Sequence, residues 1–175
     1  KEDGRVHGKV ITNGTITGRM SHQAPNMAQI PAVYSPYGKE CRGLWIVDKG
    51  FKLVGVDASG LEIRMLAHYM NDKEYTNEVI NGDIHTANKV AAGLETRDAA
   101  KTFIYAFIYG AGSKKIGSII GGSERDGERV KEKFLRATPS LRHLREKVDA
   151  VAKSNRRWLK GLDGRKIVKS LFLDI

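Results

Sequence analysis

Arg97, Lys101 and Tyr105 stand four residues apart, the interval that stacks side chains on one face of an α-helix. Two cations in a row beside an aromatic ring can grip a chain of phosphates, Arg as a planar fork and Lys as a point charge. A solvated helix face gives the same pattern in many proteins. Here, however, Phe103, Ile104, Phe107 and Ile108 fill most other positions, so the helix reads as largely buried and its cations as needing a dedicated partner. A triphosphate is a good candidate.

Asp57 offers complementary chemistry. It ends the apolar run Phe51-Lys52-Leu53-Val54-Gly55-Val56, where a charge is costly unless paired, hydrated or bound to a metal. A carboxylate at a strand end suits magnesium, which takes one or two carboxylates together with phosphate oxygens and waters. Local pattern reads Asp57 equally well as the cap of a helix beginning near Ser59. Glu62, five residues on, projects from the first turn of that helix, where a lone Glu is usually solvated surface or a partner of the helix dipole. His85, in Gly82-Asp83-Ile84-His85-Thr86, can donate to a phosphate or serve structure. Gly110-Ala111-Gly112-Ser113-Lys114-Lys115 lacks the spacing of a phosphate loop and follows no strand, so that reading is rejected. Zinc-peptidase and serine-hydrolase patterns are absent.

The elements that must position these groups follow from patterning. Residues 5–11 and 15–20 read as a β-hairpin turning tightly at Asn13-Gly14 with positive φ. Pro25, Pro31 and Pro36 make residues 23–38 an extended, ordered connector. Residues 51–56 read as a buried strand, and 61–70 as a helix with Ile63, Leu66, Ala67 and Met70 on its apolar side. Further helices are expected at 74–80, at 85–92 with Asp83 as cap, from Arg97 with Thr96 as cap to Gly110, at 124–136 and at 140–154. The tail from Trp158 reads as strand and turn around Asp163-Gly164.

Composition narrows the classes. A chain of 175 residues with formal charge +10 can bury a real core and favours anionic partners. Residues 124–169 carry 15 Lys and Arg against 7 Asp and Glu, and residues 1–123 carry 15 against 12, so the excess is concentrated late in the chain. No run reaches the ~20 apolar residues of a membrane span, and Lys1-Glu2-Asp3-Gly4 does not read as a signal peptide. A cytosolic location is expected, and the sequon Asn13-Gly14-Thr15 is then coincidence. Cys41, the single cysteine, reads as a reduced structural thiol.

Six segments in order resemble family A DNA polymerases, particularly podovirus-type phage replicative enzymes and, more distantly, bacterial DNA polymerase I. They are Thr17-Gly18-Arg19, Pro25-Asn26-Met27-Ala28-Gln29-Ile30-Pro31, Asp57-Ala58-Ser59-Gly60-Leu61-Glu62-Ile63-Arg64, Gly82-Asp83-Ile84-His85-Thr86, the helix from Arg97, and Gly161-Leu162-Asp163-Gly164-Arg165. The resemblance implies an α+β fold of the right-hand polymerase type, comprising part of the palm with antiparallel strands and most of the helical fingers. It places a palm portion at 1–70, fingers at 71–155 and a return toward the palm at 156–175.

The resemblance also implies roles. Asp57, with the carbonyl of Ala58, would hold the catalytic magnesium pair, and Asp57 and Lys101 would be the catalytic residues. Glu62 would gate the sugar. His85, Arg97 and Lys101 would bind the triphosphate, Tyr105 would stack near sugar and base, and Tyr109 would sit beside the templating base. Arg19, Asn26 and Gln29 would contact primer-template DNA. Partners would be that DNA and deoxynucleoside triphosphates, with any processivity factor recruited through regions absent here. The family's second carboxylate motif, His-Asp-Glu, does not occur in these residues, and the resemblance ends after Ile167. The chain is therefore expected to be an internal piece of a polymerase, inactive alone, with a non-catalytic nucleic-acid-binding remnant as the alternative.

Overall fold

The computed structural model describes residues 2–15, 18–154 and 158–168. It divides into two compact units, Lys1–Asp57 and Ala58–Ile175.

In the first unit, β1 (Lys9–Ile11) pairs antiparallel with β2 (Ser21–Gln23), Val10 facing His22. The expected hairpin exists, but its second strand lies beyond residues 15–20. Thr15 explains the shift: its carbonyl accepts from Gly18 N at 3.0 Å and its Oγ1 from Arg19 N at 2.8 Å. Those bonds tie Thr15 to Gly18 and Arg19 ahead of the strand. The left-handed position there is Gly18, φ +79°, and not Asn13 or Gly14. A 3-10 turn (Met27–Gln29) interrupts the proline-punctuated connector, and the short helix α1 (Gly38–Gly43) follows. That helix went unread because six residues with a glycine at each end carry little periodic signal.

Residues 51–56 correct the sequence reading more sharply. They form no strand, and Phe51, Leu53, Val54 and Val56 are 73, 76, 80 and 95% exposed. A strand is buried by neighbours on its edges and faces, and among the described residues none pairs with it.

The second unit is helical. Its elements are α2 (Leu61–Met70), α3 (Lys73–Asn81), α4 (Ile84–Ala92), α5 (Arg97–Ile108), α6 (Ser113–Ile119), α7 (Glu124–Ala137) and α8 (Pro139–Lys153). They are followed by the hairpin β3 (Trp158–Lys160) with β4 (Lys166–Val168). Local chemistry sets most boundaries. Asp72, Asp83 and Thr96 cap α3, α4 and α5 with side-chain oxygens, and Ser123 with Asp126 forms a capping box on α7. Asp57 does not cap α2; the cap is Gly60 in the left-handed conformation, without a side-chain bond.

The hydrophobic core belongs to this unit. Ile63, Ala67 and Met70 of α2 join Phe103 and Ile104 of α5, Ile116 of α6, Phe134 of α7 and Leu141 of α8. Phe103 and Phe134 meet edge to face at 5.2 Å, and Phe107 meets Phe134 similarly at 5.5 Å, geometries that aromatic quadrupoles favour. The helices α6 and α7 cross with backbones nearly touching. A Cβ on Gly127 would lie 2.1 Å from the Ser113 carbonyl oxygen, and one on Gly117 2.1 Å from that of Ser123. Only glycine fits either place. Phe103 and Ile104 hold α5 to this core, while its Arg97 and Lys101 stay exposed.

Candidate functional site

The face of α5 carries the expected row. Ala100, Phe103 and Ile104 point into the core, whereas Arg97 and Lys101 are exposed and Tyr105 is half-buried. One helix thus separates an apolar anchor from a cationic edge, which is what fixes the edge in place. The neighbouring α4 starts at Asp83 and sets His85 beside α5, its ring centroid 6.3 Å from that of Tyr105. Burial pushes the His85 pKa below the ordinary histidine value, and repulsion from Arg97 and Lys101 adds to this against the attraction of Asp83. Its Nδ1 is buried with no hydrogen-bond partner. The imidazole is therefore neutral near pH 7, with one N–H to give.

Arg97 has a partner within the chain that sequence reasoning did not find. Its Nε donates to Asp83 Oδ2 at 2.7 Å and its Nη2 to Asp83 Oδ1 at 3.0 Å. The same carboxylate accepts from Thr86 Oγ1 at 2.7 Å and from the backbone N–H of His85 at 3.2 Å. The Arg97 guanidinium first, then the Thr86 hydroxyl, hold the Asp83 carboxyl well below the usual carboxylate range. Asp83 was legible as a helix cap, but its bond to a residue fourteen positions away carries no local signal. Lys101 has no carboxylate partner among the described residues.

Glu62 and Tyr109 are brought together from the first turn of α2 and the end of α5. The Tyr109 hydroxyl donates to Glu62 Oε1 at 2.8 Å. The bond joins residues 47 apart in sequence and fixes the carboxylate beside the aromatic ring. Glu62, His85, Arg97, Lys101, Tyr105 and Tyr109 thus all belong to one unit, on α2, α4, α5 and the residue that ends α5.

The residues expected to meet DNA lie in the first unit. Arg19, Asn26 and Gln29 are exposed, and Asn26 Oδ1 accepts from Ala28 N at 3.0 Å, capping the 3-10 turn. Thr17 lies outside the described residues. Asp57 and Ala58 are exposed. Among the described residues no three His, Cys, Asp or Glu side chains gather to hold an ion. Asp57 alone does not meet the several-oxygen requirement of magnesium. No helix among the described residues is long and apolar enough to cross a membrane.

The model of DNA polymerase family A matches residues 1–171. The chain is 48% identical over 190 aligned positions to a DNA-directed DNA polymerase of Escherichia phage T7, which covers 95% of this chain and 27% of the phage protein. It is 32% identical to a DNA polymerase I of Helicobacter pylori over 90% of this chain and 18% of that protein. The chain therefore spans about a quarter or less of these relatives' length. Among solved structures, the POL domain of Pol1 from M. smegmatis, in complex with DNA primer-template and dNTP, superposes with a TM-score of 0.78 at 22% identity. That match covers 96% of this chain and 31% of the other, and so shows the shared fold. With its family's pattern running through nearly every residue, the chain belongs to DNA polymerase family A.

Proposed function

We propose that this chain carries the nucleotide-binding face of a DNA-directed DNA polymerase, which selects a deoxynucleoside triphosphate against primer-template DNA. The observation that supports this most strongly is the α5 edge, where Arg97, Lys101 and Tyr105 line up beside the half-buried ring of His85. Phosphoryl transfer needs little covalent chemistry from protein and gains chiefly from positioning and from neutralising charge on the phosphates. Lys101 and Arg97 supply that charge, and neutral His85 donates one hydrogen bond. Tyr105 lies against sugar and base, and Tyr109 beside the templating base. Glu62, steadied by the Tyr109 hydroxyl, lies under the sugar and rejects a ribose 2′-hydroxyl.

From the first unit, Arg19, Asn26 and Gln29 contact the primer-template. Asp57, with the Ala58 carbonyl, contributes part of a magnesium centre. Two such ions activate the primer hydroxyl and steady the leaving pyrophosphate when bound. Palm at 1–70, fingers at 71–155 and a return toward the palm at 156–175 remain the domain assignment proposed here. The site of action is the cytoplasm, that of the host if the gene is phage-borne, and a processivity factor would engage regions outside these residues.

The test is a titration of the 175-residue chain with a fluorescent dATP analogue. Lys101→Ala is expected to weaken binding about tenfold, the loss of one charge-assisted contact to phosphate, and Glu62→Ala to narrow the preference for dATP over ATP. Unchanged affinity in Lys101→Ala would remove the reading. Salt-sensitive DNA binding without any nucleotide preference would favour a non-catalytic DNA-binding role instead.

A further inference from the structure

We infer that Asp83 is a positioning residue of this nucleotide site, holding Arg97 by one edge so that its other edge is presented to phosphate. The inference rests on the nucleotide-site reading above. A guanidinium has five N–H donors in a fixed plane. Asp83 takes only the side formed by Nε and Nη2, at 2.7 and 3.0 Å. The Nη1 edge has no protein partner among the described residues. A planar fork gripped on one side keeps its free side pointed in one direction, and that spares the rotamer entropy otherwise lost when an anion arrives.

The carboxylate is also held by the helix it caps. Its two oxygens accept from Thr86 Oγ1 and from the backbone N–H groups of His85 and Thr86, at 2.7, 3.2 and 3.4 Å. These bonds make Asp83 the cap of α4, so one residue sets both the start of the helix carrying His85 and the orientation of Arg97. Its negative charge is satisfied by these donors on the side of Arg97 opposite the free edge, and an incoming triphosphate completes the guanidinium's hydrogen bonding without displacing it.

Asp83→Asn separates positioning from capping, since Asn caps helices as well as Asp. The expected result, with the same dATP analogue and the 175-residue chain, is about tenfold weaker binding by a variant that keeps the parent's folded circular-dichroism spectrum at the assay temperature, within the coupling range of contacting residues. In an Arg97→Ala background, Asp83→Asn should have no further effect on affinity. Asp83→Ser, another capping residue without a carboxylate, serves if the Asn variant fails to fold. Affinity equal to or tighter than the parent's, or additive losses in the double variant, would overturn the inference. If Lys101→Ala binds normally, the nucleotide site itself is wrong. If Lys101→Ala is weak and Asp83→Asn is not, only the role of Asp83 falls.

Discussion

The crossing of α6 and α7 permits a prediction worked from distances. In Gly127→Ala the new Cβ would stand 2.1 Å from Ser113 O and 2.5 Å from Gly117 N, against about 3.4 Å for ordinary contact. The obstruction is backbone on both counts, so no side chain can swing aside. Relief requires α6 to withdraw by about 1.3 Å, the difference between those separations, and to loosen the fully buried Ile116 beside Gly117. Overpacking at the upper end of its range costs about 3 kcal/mol. The better helix propensity of Ala returns up to about 1 kcal/mol, which leaves a net loss of about 2 kcal/mol. For a chain of this size that lowers the thermal midpoint by about 4 to 8 °C, measured by circular dichroism. Gly43→Ala is the matched control, because its Cβ meets nothing within 4 Å and its φ lies outside the left-handed region. It should melt with the parent. A Gly127→Ala chain melting at the parent temperature would refute the close approach.

Two other outcomes are expected. The lowered His85 pKa means that below about pH 6.5, the ordinary histidine value, the unfolded chain takes up a proton that the folded chain resists. Stability present above that pH is therefore lost as pH falls toward the folded pKa, and His85→Asn should flatten this part of the melting-temperature profile; a parallel profile would count against a half-buried neutral ring. Separately, the parent chain with primer-template, dNTPs and magnesium should give no extension on a sequencing gel, because one exposed carboxylate cannot place two ions. Extension would show a complete metal centre.

The parts legible in sequence were those fixed by neighbours within four residues. Asp83 and Thr96 announced helix starts, and the apolar positions of 61–70 announced a buried face that Ile63, Ala67 and Met70 confirm. The row Arg97, Lys101, Tyr105 was legible for the same reason. What was missed depends on distance along the chain. Nothing local ties Asp83 to Arg97 or Glu62 to Tyr109. The helix α6, seven residues with a glycine in the middle, hid behind a superficial likeness to a phosphate loop. The error at residues 51–56 has the same origin. An apolar, β-branched run reports what a segment could bury, whereas burial itself is decided by whatever lies alongside.

That open run makes concentration a variable in the behaviour of this chain. Phe51-Lys52-Leu53-Val54-Gly55-Val56 contains no proline and one charge, the composition of segments that stack with copies of themselves. Two chains meeting there would satisfy each other's amide and carbonyl groups and shelter four large side chains from water. Lys52 is the sole electrostatic brake on that pairing. Work on the nucleotide face therefore belongs in dilute solution, where molecules meet ligand before they meet one another.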